Sequence, residues 1–559
     1  MSVARILRSM DYGVMMNIAS PMSRIERQAV AGYIGREGDD AKPVPVAFCS
    51  VETGRPASRV GGKWAGWSPS ASNTRYQSGE EADLSLGQIR RLKLKWAFGF
   101  EGDVTAFGAP TIVDGRLFTG SAGGVVYALD AATGCIFWTF TANGPVRSAM
   151  LAAPSSSSHT LLFGDQNGWF YALDSKTGHL IWKRRVEEHE ATRLTGAPVE
   201  KDGVVFVPVA SWEETRALSS GYPCCTFRGS VVAMRVKDGT VVWKTYMTPA
   251  PVKRGVTAAG TVRYGPSGAG IWSAPTLDPK RGRLYVTTGD NYSTPASANS
   301  DAVVALELKS GRIVWARQTT ANDAFNAACL GKGPNCPAED GPDHDYGASA
   351  MLVSTNGNRD MLIAGQKSGM VYALDPDMDG KVLWAVRVGK GGLLGGIQWG
   401  MASDGQKAFA AVSDVVRKRR TPGLDDLRQA ELDPVQGGGI AALRLEDGQK
   451  LWQLPGHPCQ PAKPGCSPAQ SAAVTAIPGA VFSGSLDGHL RAFASEDGAL
   501  LWDFDTARTF QTVNGVGAKG GSLDGAGPII AGGMVFVNSG YARFGGMPGN
   551  VLLCFAPEP

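Results

Sequence analysis

The stretch YALDAATGCIFW (Tyr127–Trp138) decides the fold. An alternating apolar run ends at an Asp, a Gly-bearing turn follows, and a second run closes on Trp. By its turn chemistry this is a β-hairpin. The same pattern returns in YALDSKTGHLIW (Tyr171–Trp182), VAMRVKDGTVVW (Val232–Trp243), VALELKSGRIVW (Val304–Trp315), YALDPDMDGKVLW (Tyr372–Trp384), AALRLEDGQKLW (Ala441–Trp452) and RAFASEDGALLW (Arg491–Trp502). A hairpin cannot bury its own faces, so such recurrence calls for stacked sheets, most simply the blades of a propeller.

Seven copies of the repeat do not limit the ring to seven blades. LKLKWAFGF (Leu92–Phe100) has a strand and a Trp but no Ala-x-Asp turn before it, and GNVLLCFAP (Gly549–Pro557) has a strand without a Trp. Together they can build one more blade from both chain ends, which protects the sheet edges. The expectation is an all-β, eight-bladed β-propeller over residues 62–559, with seven blades as the alternative. Successive Trp spacings are 44, 61, 72, 69, 68 and 50 residues. Insertions in a propeller become loops over one face, so function is expected over blades three to six.

Composition agrees with many short strands: 73 Gly and 33 Pro in 559 residues, 43% hydrophobic. Net charge is +4, and the basic runs RRLKLK (Arg90–Lys95) and RKRR (Arg417–Arg420) are short. They read as solvated strand ends and loops rather than a nucleic-acid or anionic-membrane surface. No run of 18 apolar residues could span a membrane. Asp11 interrupts the one candidate signal sequence. Cys329 and Cys336 bracket one Pro- and Gly-rich loop, Cys459 and Cys466 another, and Cys224 and Cys225 are adjacent. Disulfide-closed loops imply an oxidising compartment such as the periplasm. Cys49, Cys135 and Cys554 are left over, so at least one is free. An export-type cysteine pattern without an export signal suggests an incomplete N-terminus.

Residues 1–40 are the one clearly helical stretch. RIERQAVAGYIG (Arg24–Gly35) gathers Ile25, Ala29, Val30 and Tyr33 on one face, with Ser23 as N-cap. The polar, Pro-rich segment 36–60 reads as a linker, dividing the chain into 1–40, 41–61 and 62–559.

The turn-and-Trp unit, together with GYPCCTFRGS (Gly221–Ser230), GPSGAGIWSAPTLD (Gly265–Asp278), TGDNYS (Thr288–Ser293) and GPDHDYGAS (Gly341–Ser349), resembles the pyrroloquinoline quinone (PQQ)-dependent alcohol dehydrogenases. The likeness covers about residues 62–557 and leans toward the polyvinyl alcohol dehydrogenase branch. The resemblance implies oxidation of an alcohol, secondary and in some cases polymeric, with electrons passing to a cytochrome c. Such chemistry needs a Lewis acid, a base and a flat slot for the cofactor. Calcium favours carboxylate and amide oxygens. The resemblance offers Glu213 or Glu214 in SWEETR, and Asp290 or Asn291 in TGDNYS, as its ligands. It makes Asp345 the general base and a further ligand, with Asp343 as competitor and Asn326 in another approximate match. Lanthanide-dependent relatives carry an additional Asp where this chain has Gly347, which favours calcium. Trp272 takes the place of the indole stacked under PQQ, Lys367 that of the cation against the quinone oxygens, and Arg147 and Thr195 contact the cofactor. The Cys224–Cys225 pair would cover its plane. Met10–Gly35 resembles the end of a cytochrome c domain, with Met15 or Met16 as remnant haem ligand. No Cys-x-x-Cys-His is present, so haem c requires an upstream domain or a separate cytochrome. The alternative reading is a non-catalytic propeller scaffold, which would need none of these residues to converge.

Overall fold

Every turn glycine of the repeat meets a tryptophan of the preceding blade. In the computed structural model, which describes residues 2–558 apart from 13–14, 16–18, 20–21, 23, 37–46, 51–60, 156–157, 356–358 and 419–430, a Cβ on Gly178 would lie 2.6 Å from the Trp138 ring. Gly178 also has φ +73°, so the turn needs glycine for its backbone and for the indole it touches. The Trp138 indole N–H donates to Ser175 O at 3.1 Å. The same donation recurs from Trp96, Trp182, Trp243, Trp384, Trp452 and Trp502 to the next blade. The repeat is therefore an inter-blade latch as well as a hairpin.

Eight four-stranded antiparallel blades form in chain order: blade 1 (111–141), 2 (151–185), 3 (199–246), 4 (276–318), 5 (351–387), 6 (402–455), 7 (475–505) and 8 (529–557). Blade 8 takes its outermost strand, Leu92–Gly99, from the N-terminal side, paired with Val551–Pro557. The ring closes when Trp502 donates to Leu92 O at 3.0 Å and Trp96 to Ala131 O at 3.2 Å. Both chain ends supply the eighth blade, as the sequence implies.

Residues 64–77 bind the inner strands one after another. Trp64 pairs with Ile112, and Ala65, Ala71, Ser72 and Thr74 carbonyls accept from Ala152, Leu277, Leu352 and Ser403. Gln77 N–H donates to Ala476 O. At its centre Arg75, 1% exposed, donates to Trp67 O, Val474 O, Ala526 O, Pro528 O and Thr475 Oγ1. Burial pulls its pKa down to about 9. Trp67 lines one small space with Trp272, so this plug ends against the floor of the axial cavity.

Four disulfides form: Cys49–Cys135, Cys224–Cys225, Cys329–Cys336 and Cys459–Cys466, leaving Cys554 as a buried thiol. The first ties the end of the linker to blade 1. Two helices precede it, Val3–Tyr12 and Arg24–Ile34, packed through Ile6, Met10, Ala19 and Ala31. The face expected to be buried differs: Ile25 and Tyr33 are 77% and 91% exposed. The Val3–Tyr12 helix, not foreseen as a partner, takes Val30 of that face together with Ala31. Ser23 and Met16 lie outside the described residues, and Met15 is exposed. Among the described residues no helix is long and apolar enough to cross a membrane.

Candidate active site

A cavity of about 340 Å³ opens on the propeller axis, walled mainly by the insertions of blades 3 to 6. Glu214 reaches it from the short helix Glu213–Arg216 within blade 3, and Trp272 from the crossing into blade 4. Asp290 follows the second strand of blade 4, Asp345 precedes blade 5, and Lys367 sits in a turn of blade 5. Arg147 and Thr195 also line it.

The acidic cluster is tightly knit. Carboxylate oxygens of Asp290, Asp343 and Asp345 all lie within 4.8 Å of one another. Lys367 Nζ donates to Asp343 Oδ1 and Asp345 Oδ2, each at 2.9 Å. The other oxygen of Asp345 accepts from Asp290 N–H at 2.7 Å. Gly289 permits this, since a Cβ there would stand 2.7 Å from Asp345 Oδ1. Asp343 is held by its own N–H, which donates to Asp323 at 3.1 Å. Burial, then repulsion from Asp345, Asp343 and Glu214, raises Asp290 well above the usual carboxylate range. Burial raises Glu214 to about 7, Lys367 and Arg543 opposing and Asp345 adding to it. A cation beside these acids would offset the burial and mutual repulsion that push Asp290 and Glu214 up. An all-oxygen donor set of this kind suits calcium.

Beside the acids the chemistry turns aromatic and cationic. Lys367 Nζ lies 5.7 Å from the Trp272 ring centroid, and Trp399 meets Trp272 edge-on at 5.4 Å. Arg147 stacks over Trp399 at 4.6 Å, and Arg543 over Trp212 at 3.5 Å. Arg193 and Arg417 complete a group of four guanidiniums on the walls. Burial lowers Arg543 to about 10. Among the described residues Arg543 Nε and Thr195 Oγ1 are buried without a hydrogen-bond partner. An apolar slot on an indole, ringed by arginines and orphan donors, fits a flat polycarboxylate such as PQQ. Of these side chains, sequence reasoning missed Arg193, Arg417, Arg543, Trp212 and Trp399. Arg417 had read as part of a solvated basic run, because nothing in RKRR signals that its first member turns inward. Trp212 and Trp399 stand outside the docking repeat, as Trp272 does, and that signal could have found them.

Several expected residues go elsewhere. Glu213 is fully buried away from the cavity, accepting from Tyr222 Oη at 3.0 Å and from the backbone N–H groups of Thr226 (2.8 Å) and Phe227 (2.7 Å). Asn291 spends its side chain on Ser267 O and Ser297 N–H. Asn326 caps the 3-10 helix Ala327–Gly331 and braces Tyr292 O and Asn335 O. Cys224 and Cys225 do not line the cavity. They are buried with Phe227 and Ala328 behind Tyr292, which forms part of the wall. Just after Cys225 the loop is fixed locally, the Thr226 and Phe227 N–H groups donating to buried Glu213.

The sequence model of the PQQ-dependent glucose/ethanol/alcohol dehydrogenase β-propeller domain matches residues 64–390. Fold and matched family model together define a quinoprotein. The chain is 39% identical to a polyvinylalcohol dehydrogenase of Pseudomonas sp., covering 100% of this chain and 89% of that one. It is 36% identical to a polyvinylalcohol dehydrogenase of Sphingopyxis sp. (strain 113P3), covering 99% and 88%. The chain thus belongs to the PQQ-dependent alcohol dehydrogenase family, as a quinoprotein oxidoreductase acting on CH–OH donors. Among solved structures, quinohemoprotein alcohol dehydrogenase ADHIIG from Pseudomonas putida HK5 shares the fold at TM-score 0.64 and 18% identity, over 93% of this chain and 83% of that one. A europium-containing methanol dehydrogenase does so at 0.62 and 18%, over 91% and 100%.

Proposed function

We propose that this protein oxidises secondary alcohols, polymeric polyols included, with PQQ and calcium, and passes the electrons to a cytochrome c. The observation that carries this reading is that Glu214, Asp290, Asp345 and Lys367 line one cavity with Trp272. Glu214, Asp290 and Asp345 would hold the calcium, with Asp343 close by. Trp272 would lie under the ring system, with Lys367 at the quinone edge. Arg147, Arg543 and Thr195 would take its polar rim.

When bound, PQQ supplies the two-electron acceptor and calcium the Lewis acidity. The chain's own residues do the rest. Asp345 takes the hydroxyl proton of the alcohol, a transfer within reach of a carboxylate that opens on the cavity. Lys367 and the Asp290 N–H hold that carboxylate in place, one on each oxygen. Trp272, Trp399 and Tyr292 keep the slot apolar, which strengthens every charge interaction inside it.

The polymeric substrate class follows the two full-length relatives, which are named for polyvinyl alcohol. A periplasmic location accords with four disulfides. The paired N-terminal helices we take as the end of a cytochrome c domain, with Met15 or Met16 as its former axial ligand. The test is to reconstitute the protein with PQQ and calcium and follow dye reduction with 2-hexanol and with polyvinyl alcohol. Absence of both PQQ binding and dye reduction would reject the reading.

A further inference from the structure

The connection from blade 5 to blade 6 reads GKGGLLGG (Gly389–Gly396), two leucines framed by glycines. Gly395 N–H donates to Gly392 O at 2.8 Å, so Leu393 and Leu394 occupy the two corners of a tight turn. Turn corners normally carry Asn, Asp, Gly, Pro or Ser. Here both corner residues line the catalytic cavity.

The turn is stapled rather than loose. Asp414 accepts from Lys390 N–H at 2.6 Å and Gly391 N–H at 3.0 Å on one side, and from Gly396 N–H at 2.8 Å on the other. Gly392 N–H donates to Lys367 O at 3.1 Å, which ties the turn to the residue that holds Asp345. Gly396 has φ +57°, and a Cβ there would meet Gln366 O at 2.5 Å, so the close approach needs glycine. Leu218, Leu330 and Phe544 line the same cavity, each from a different insertion. Leu330 stands on the short helix closed by Cys329–Cys336.

We infer that the Leu393–Leu394 turn is the specificity-determining element of the site. It grips the hydrocarbon chain of the alcohol beyond the reacting carbon, against Leu218 and Leu330, and so favours long-chain or polymeric secondary alcohols over short ones. The inference rests on the alcohol-oxidising reading of this cavity. Contact with a remote part of the substrate raises discrimination without touching the chemistry.

The experiment compares 2-propanol with 2-octanol on the reconstituted protein, and the same pair in binding to protein free of PQQ, read by quenching of the cavity tryptophans. In L393A/L394A, kcat/KM for 2-octanol is expected to fall about tenfold or more, with 2-propanol changed less than twofold. The affinity ratio of the two alcohols should fall by a similar factor, and L394M should restore most of it. D414N, which touches no substrate, should raise KM for 2-octanol and leave kcat unchanged. Equal loss on both alcohols, or no loss on either, overturns the proposal. If wild-type protein oxidises nothing, the functional reading fails by itself, and the binding ratio still decides the role of the turn.

Discussion

A Cβ placed on Gly347 would lie 2.0 Å from Cη2 of Trp272 and 2.2 Å from Gln398 O. The floor indole therefore occupies the volume of any side chain at 347, two residues beyond Asp345. Even alanine there would have to displace the indole or the backbone, and overpacking of this kind costs about 1–3 kcal/mol. G347A is expected to lower the unfolding temperature modestly and weaken PQQ binding at least tenfold, read by fluorescence titration. G347D should abolish PQQ binding, and added lanthanide should not rescue it. A lanthanide-activated G347D protein would contradict the geometry.

Glu213 and Glu214, neighbours in one short helix, should fail differently. Glu214 faces the cavity and the acid cluster, so E214Q is expected to raise the calcium concentration for half-maximal activation by about tenfold or more, with the fold intact. Glu213 accepts from two backbone N–H groups and from the Tyr222 hydroxyl. Weakening buried charge-assisted hydrogen bonds costs about 1–3 kcal/mol, so E213Q should lower thermal stability more than E214Q does. Calcium titration and thermal melts on both variants separate the roles. Chelation should also lower the melting temperature of wild type more than that of E214Q, since a ligand at a hundred times its Kd adds about 2.7 kcal/mol and one at ten times its Kd about 1.4 kcal/mol.

Legibility from sequence followed periodicity. The Trp-ended hairpin, the ring and its closure by Leu92–Gly99 were readable because each rests on local turn chemistry or on a strand lacking its partner; the indole bond to the next blade was not. Glu214 against Glu213 was not. Side-chain direction in a four-residue helix depends on what the Thr226 and Phe227 N–H groups seek, and those lie over ten residues away. Three of the four arginines, Arg193, Arg417 and Arg543, escaped for a related reason. Arg147, Arg193, Arg417 and Arg543 come from loops separated in turn by 46, 224 and 126 residues, and only closure of the ring brings them together. The vicinal cysteines were found, but not that Tyr292, from the next blade, would stand between them and the cavity.

The Asp345–Lys367 contact makes a kinetic prediction. D345N removes the proton acceptor and should lower kcat by about 10²–10⁴-fold, with PQQ still bound. K367A leaves Asp345 and Asp343 without their shared cation, so kcat should fall and KM for the alcohol should change less. Pre-steady-state reduction of the bound cofactor by 2-hexanol measures the chemical step directly. A D345N enzyme with unchanged reduction rate would transfer the base role to Asp343, and D343N would then be the slow variant.

The cysteine framework predicts a thiol count and a stability cost. Eight of the nine cysteines are paired, and Cys554 is fully buried, with burial pushing its thiol up out of reactive range. Native protein should therefore give no reaction with a thiol reagent at pH 8, and denatured, unreduced protein one equivalent. The Cys49–Cys135 bridge spans 86 residues and pins the segment before the plug to blade 1. Closing a loop of that length is worth about 4 kcal/mol through the unfolded state, less whatever strain the bridge carries. C49S/C135S should lower the melting temperature and make the N-terminal helices the first site of limited proteolysis. It should leave kcat with 2-hexanol within about twofold, because neither cysteine reaches the cavity and surface changes remote from a site add nearly independently. A large fall in kcat with an unchanged melting temperature would mean that this bridge acts on the axial site rather than on the anchoring of the chain.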